Sequence, residues 1–455
     1  MNISRTLLPI AGALLAVSCG SEAPQAVQPR EEPAGPAGKA AALPAVDVGA
    51  EIKGFYKERG FRPLWVRRSG LTPAGKQLLD MVGRADRDGL RPEKYDLPLL
   101  RRAAAAAATG DPAGIAKAEL LLSRAFADYV RDLHQPVDRQ AMYFVDAELA
   151  PPRPSRREVL EAAAAAPSLA EHVAEAGRMN PLYEALRTAL AQYRGGGGGA
   201  GERLILANLE RARSIPAQPG RRYVIVDAAG ARLWMIEGRE VVDSMKVIVG
   251  KPSMATPEMA GLIRYATLNP YWNLPPDLAR ERAKKVLKRG TGAIAAERLQ
   301  ILSDWSADPR VLKASQVNWG AVASGAHTLR MRQLPGGDNV MGNVKFMLPN
   351  KLGIYLHDTP DKRNFQLAER RLSSGCVRVE DAQRLSRWLF GGRIVRPSGT
   401  APEQNVDLPE PVPVYITYLT AVPKVGGGVL FRRDAYRRDA AMIARIEDRA
   451  RQRRA

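Results

Sequence analysis

Tyr355-Leu356-His357-Asp358-Thr359-Pro360, followed after a short connection by Ser373-Ser374-Gly375-Cys376-Val377-Arg378-Val379, places a histidine and a cysteine at the ends of two readable elements. Cys376 is one of only two cysteines in the 455 residues; the other, Cys19, stands near the start. A thiol attacks as its thiolate, so a catalytic cysteine needs a base or a positive local field beside it. His357 is the candidate base. Gly353 to Leu356 reads as a buried strand, and Cys376 follows a Ser-Ser-Gly turn. Glu380 and Asp381 then open an amphipathic run, Ala382 to Phe390, that Gly391 and Gly392 stop, the pattern of a capped helix. Cys376 is thereby expected on a tight strand-to-helix connection, where Gly375 lets the backbone bend and the amides of Gly375 and Cys376 face a developing oxyanion. The plainer alternative makes Cys376 a small core residue and His357 a structural histidine.

The flanking residues separate these. His-Asp-Thr-Pro with Ser-Ser-Gly-Cys-Val-Arg-Val resembles the active-site signature of the L,D-transpeptidases (YkuD-type catalytic domain), in particular the large periplasmic branch typified by YcbB. Further phrases are similar to the same branch: Phe55-Tyr56 to Pro63-Leu64-Trp65, Asp88-Gly89-Leu90 to Tyr95, and Asn180-Pro181-Leu182-Tyr183 in its helical scaffold domain; Val247 to Lys251, Leu268 to Pro275 and Gln333 to Phe346 in its catalytic domain. The resemblance runs from about Phe55 to Ala440. It implies an α+β chain: a helical scaffold followed by a mainly β catalytic domain with an inserted capping subdomain.

It also implies roles. Cys376 is the nucleophile and His357 the base, with no metal and no cofactor. Ser373 corresponds to the residue opening the family's Ser/Thr-His-Gly-Cys motif. At Ser374 the broader family has a second histidine; a serine cannot act as a base, which sharpens the claim on His357. Arg378 matches the Arg or Asn after the cysteine and either binds a stem carboxylate or braces the loop. Tyr355 either orients the histidine and assists the oxyanion or is a strand aromatic. Gly342 either brings backbone close to substrate or is a turn glycine. Family members cleave a tetrapeptide stem after its third, diamino residue and join two third residues, so the expected product is a 3-3 cross-link formed through a cysteine thioester. With water as acceptor the same chemistry is an L,D-carboxypeptidase, and with a protein lysine it anchors that protein to the wall. An inactive wall-binding lipoprotein is the alternative of a different class.

Met1 to Ser18 carries Arg5 and an apolar run from Leu7 to Val17, a secretory signal, and Ala16-Val17-Ser18 before Cys19 resembles a bacterial lipobox. Lipid on Cys19 and a periplasmic location are therefore expected, with Gly20-Ser21 favouring the outer membrane; a plainly cleaved signal is the alternative. With one cysteine assigned to lipid and one to chemistry, no disulfide framework is available. Residues 20–47, rich in Pro, Ala and Gly, read as a spacer. No other run approaches the roughly 18 apolar residues that span a bilayer.

From 48 to 194 apolar residues recur at helical spacing, as in Leu78-Leu79-Met81-Val82 and Leu120 to Leu133. This scaffold is expected to support the catalytic domain rather than dock substrate; His134 and His172 read as surface or structural, and His327 as structural. Gly195 to Gly199 reads as a linker, 195–201, leaving no room for the small peptidoglycan-binding module that many members of the branch carry there. The catalytic domain is placed at 202–423. Arg222 to Asp227, Arg232 to Ile236 and Val241 to Val249 follow hairpin grammar. Asp277 to Lys288 can form an amphipathic helix and Gly290 to Ala326 reads as irregular. The resemblance makes this insertion, about 275–328, a cap that excludes water while an acyl-enzyme waits for an amine. A partner protein that switches this lid is compatible with the pattern.

The net charge of +20 calls for an anionic neighbour. Export argues against nucleic acid and for carboxylate-bearing stem peptides and the envelope surface. Residues 424–455 form a basic, helical tail, either an electrostatic contact or a solvated face.

Overall fold

The structure, a computed structural model, describes residues 46–424 and 427–452. Cys19, its signal and all but the end of the 20–47 spacer lie outside the described residues. Among the described residues no helix is long and apolar enough to cross a membrane.

The first part is helical: Ala50–Glu58, Pro73–Gly83, Leu97–Ala107, Pro112–His134, Arg156–Ala165, Leu169–Ala176 and Pro181–Gly195. Several starts are fixed by side chains that accept an otherwise orphaned amide: Thr72, Asp111, Ser168 and Asn180, with a full capping box at Ser155 and Glu158. The phrases that carried the scaffold resemblance are the fasteners of this core. Buried Glu119 accepts the Tyr56 hydroxyl at 2.6 Å and the amides of Trp65 and Val66 at 3.0 and 3.1 Å, fixing the turn before Trp65. Asp88 accepts the Tyr129 hydroxyl at 2.8 Å. Asn180 caps its helix while its amide donates to the carbonyls of Ala212 and Ile215. Residues spent in this way support the fold. Half-buried His134 bonds the Ala176 carbonyl at 3.0 Å, a structural histidine.

The glycine run is not a linker between domains. Helix Pro181–Gly195 runs into it, and Glu202–Arg213 returns to pack Ile205, Leu209 and Ala212 into the scaffold core. The run is a tight turn: Gly197, Gly198 and Gly199 have φ of 99°, 64° and 135°, and a Cβ on Gly201 would enter the Phe431 ring. The boundary therefore falls after Arg213, not at Gly195.

Arg222–Asp227, Arg232–Glu237 and Glu240–Gly250 form the expected antiparallel meander. The sheet continues from Glu240–Gly250 through Val377–Val379 and Leu356–His357 to Val344–Met347, and on the other side from Arg222–Asp227 through Gln404–Thr417 to Met259–Leu268. Val344–Met347 also pairs with Met259–Leu268, so the path closes on itself. One face buries Val224, Val226, Val247, Phe346, Leu356, Val377 and Val379 against Leu385 and Leu389 of helix Ala382–Leu389, the helix expected after the cysteine.

The insertion is more ordered than its sequence suggested. Helices Pro276–Arg289, Gly292–Ala296 and Trp319–Ser324 pack on a four-stranded sheet ordered Val311–Leu312, Leu299–Leu302, Arg330–Gln333, Trp272–Asn273. It has its own core, including Trp272, Ala283, Ile301, Trp319 and Met331. Buried Asn339 closes the neck by donating to the carbonyls of Pro270 and Leu334 at 3.1 and 3.0 Å.

The C-terminal segment is docked, not merely a solvated tail. Val429–Phe431 pairs with Ala421–Pro423, and helix Asp439–Gln452 buries Met442. Arg445 and Arg449 meet Asp138 and Asp132 of the helical part.

Candidate active site

Val377–Val379 and Leu356–His357 run parallel, with Leu356 beside Val377 and His357 beside Arg378; the Val377 amide donates to the Tyr355 carbonyl at 3.0 Å. Side chains alternate faces along a strand. Leu356, Val377 and Val379 point into the core, so Tyr355, His357, Cys376 and Arg378 share the opposite face. Cys376 lies on the turn between strands Arg371–Ser373 and Val377–Val379, not on a strand-to-helix connection, and directly before the second strand it becomes a diagonal neighbour of His357, nineteen positions earlier in sequence.

His357 is buried, and its Nδ1 lies 2.6 Å from the Asp358 carbonyl. Donation there leaves Nε2 as the basic nitrogen. Burial pushes the imidazole down to about 4, with the Arg378 cation adding to the effect; the carbonyls of Asp358 and Met341 oppose it. Cys376 is half-buried. Its thiol donates to the Gly353 carbonyl at 3.4 Å rather than to His357. Burial pushes this thiol up, while the Tyr355 amide and the Arg378 charge favour the thiolate. At neutral pH the resting pair is therefore a thiol and a neutral imidazole, a base ready to take a proton rather than a preformed ion pair.

Gly375 takes φ 117° and its amide is already donated to Ser373 Oγ at 3.2 Å. Ser373 is buried and also donates to the Cys376 carbonyl at 2.6 Å, so it braces the loop. The Gly375 carbonyl accepts the Thr256 hydroxyl at 2.7 Å. Among the described residues the Cys376 amide meets no acceptor, which leaves it available to an oxyanion. Ser374 is exposed. Tyr355 lies on the site face, its hydroxyl pushed up by burial and by nearby Cys376, Tyr265 and Glu403. Gly342, at φ 62°, packs against the Asp358 side chain, where a Cβ would collide. The guanidinium of Arg378 is half-buried, its Nε has no hydrogen-bond partner, and among the described residues it forms no ion pair.

Sequence reasoning missed three members of this face. Lys345 pairs in register with His357, is nearly buried, and reaches Glu403 at 3.2 Å. Glu403 also accepts the Tyr271 amide at 2.7 Å and is held at φ 55°, an uncommon value for a non-glycine residue. Tyr265 comes from the strand beyond. A lone Lys345 inside the apolar run Val344 to Met347 was the one available signal; Glu403 offers none.

Comparison with known proteins finds two family matches along the chain. Residues 221–410 match the L,D-transpeptidase catalytic domain family and residues 50–190 match the scaffold domain family. The chain thus carries a YkuD-type L,D-transpeptidase catalytic domain. With the scaffold domain before it, the architecture is that of the YcbB-like branch. A curated relative, a putative L,D-transpeptidase of Haemophilus influenzae, is 30% identical over 223 residues, 48% of this chain and 44% of that protein. The chain thus matches less than half the length of that relative. Among solved structures, a mutant L,D-transpeptidase of Enterococcus faecium is 14% identical, covering 44% of this chain and 52% of its own, with a TM-score of 0.21. An L,D-transpeptidase of Mycobacterium smegmatis is 11% identical over 45% of this chain and 61% of its own, TM-score 0.21.

Proposed function

We propose that this chain is a cysteine-dependent L,D-transpeptidase that forms 3-3 cross-links between peptidoglycan stem peptides. The observation that carries the proposal is the shared sheet face: a half-buried thiol, a buried neutral imidazole and an unpaired guanidinium on two neighbouring strands.

In the first half-reaction the Cys376 thiol turns from Gly353 and passes its proton to His357 Nε2 as sulfur attacks the carbonyl after the third stem residue. The Cys376 amide donates to the oxyanion. The C–N bond breaks as the imidazolium returns the proton to the departing D-alanine amine, leaving a thioester. In the second half an unprotonated stem amine attacks; His357 takes its proton and delivers it to the leaving sulfur as the C–S bond breaks. Arg378 supplies the cation for a stem carboxylate. Water in place of the amine gives the carboxypeptidase outcome.

A lipid on Cys19, holding the enzyme at the periplasmic face of the outer membrane, belongs to the same proposal and rests on the N-terminal sequence. A carbapenem, which family members accept as a pseudo-substrate, tests the nucleophile: intact-mass spectrometry is expected to show one adduct on Cys376, absent in Cys376→Ala. An unlabelled wild-type protein would overturn the assignment.

A further inference from the structure

Away from the catalytic face, a cavity of about 390 Å³ opens where the C-terminal helix meets the start of strand Met259–Leu268. Its lining carries four guanidinium groups, Arg211, Arg437, Arg438 and Arg445, and one carboxylate, Glu258. Arg211 is only 1% exposed, yet its Nε and Nη2 hydrogens reach no acceptor; Glu258 stands 4.0 Å from Nε, beyond hydrogen-bond reach. Leaving such donors unmet inside a protein is costly unless a ligand meets them.

The other charges nearby are already engaged. Asp439 holds Arg211 Nη1 at 2.7 Å, Asp138 holds Arg445, and Asp434 is turned to the Tyr418 hydroxyl and the amides of Arg438 and Asp439. Glu258 is shared with Arg438 at 3.5 Å. Arg437 is exposed and, among the described residues, forms no ion pair or hydrogen bond through its side chain; its backbone is held at φ 56°.

We propose that this cavity is an oxyanion-binding site, taking a phosphate or carboxylate group carried by a larger polar molecule. Arg211 offers two desolvated donors from the floor and Arg437 an unpaired cation from the rim, the fork geometry that suits a multi-oxygen anion. The cavity exceeds a bare ion in size, which leaves room for the rest of the ligand. It is also linked to the catalytic loop. Arg438 donates to the Thr256 carbonyl at 2.9 Å, and the Thr256 hydroxyl donates to the Gly375 carbonyl. The site stands independently of the transpeptidase assignment.

Inorganic phosphate titrated into the full chain, against sodium chloride at matched ionic strength, tests it. The expected result is a saturable rise in Tm of about 2–4 °C above the chloride control. Arg437→Ala should weaken the half-saturating concentration about tenfold, the loss of one charge-assisted contact, and Arg437→Glu should abolish the response. Acetate in a parallel titration distinguishes the anion: a matching rise identifies a carboxylate-tolerant site, and its absence a phosphate site. No rise beyond chloride, or the same response in wild type and Arg437→Glu, would overturn the proposal.

Discussion

Replacing Arg378 by Gln should move the titrations of His357 and Cys376 in the same direction. Arg378 sits beside His357 in register and disfavours the imidazolium, while favouring the Cys376 thiolate. Neighbouring strands lie about 4.8 Å apart, so the two charge centres are roughly 6 Å apart. At an effective dielectric constant of about 20 that separation corresponds to about 2.8 kcal/mol, or roughly two pH units. Half-exposure of Arg378 screens this to about one unit. Without the cation the imidazolium is less disfavoured and the thiolate less favoured. The acid limb of carbapenem acylation, set by His357 at about 4 in the wild type, should rise to about 5, and the thiol should titrate higher. Acylation rates from pH 3.5 to 7 report the first quantity; iodoacetamide alkylation of Cys376 from pH 7 to 11 reports the second. An acid limb that stays or falls, or a thiol that titrates lower, would refute this electrostatic role.

Burial of His357 should also show in stability. Its folded value, about 4, lies below the ordinary 6.5, so as pH falls through that window the unfolded chain takes the proton first and stability is lost. Urea denaturation should show the wild type losing about 3 kcal/mol more than His357→Gln between pH 7 and 4. Gly342→Ala, at φ 62° against Asp358, should cost about 1–3 kcal/mol by the same method and slow acylation, because the Asp358 carbonyl orients the imidazole. Cys19→Ala should release the protein from the membrane fraction on cell fractionation and abolish palmitate labelling; unchanged partition would remove the lipid from the proposal.

The parts legible in the sequence were those written in short-range pattern. Val-rich runs split by Ala-Ala-Gly and Glu-Gly-Arg announced the meander from Arg222 to Gly250, and Asp381 with Gly391 bracketed the helix after the cysteine. The neighbouring placement of Cys376 and His357 was legible in the strand-like run before His357 and the turn before Cys376. What failed was composition without tertiary context. Five glycines suggest a flexible linker, but here three of them, Gly197 to Gly199, take positive φ in a tight turn, and Gly201 beyond them admits the Phe431 ring. Arginines near the end suggest a solvated face, but Arg445 and Arg449 meet acids more than 300 residues earlier. Lys345 and Glu403 are joined only because the sheet closes on itself. The insertion hid its strands because elements such as Val311–Leu312 are too short for a period.

The central claim is that Cys376 transfers a stem-peptide acyl group to an amine. A soluble form beginning near Val48, incubated with a purified disaccharide tetrapeptide and analysed by tandem mass spectrometry beside Cys376→Ala, tests it most directly. The predicted product is a dimer linked between third residues, with release of D-alanine, absent from the variant. A wild type that yields only trimmed tripeptide, or that matches the variant, would contradict it.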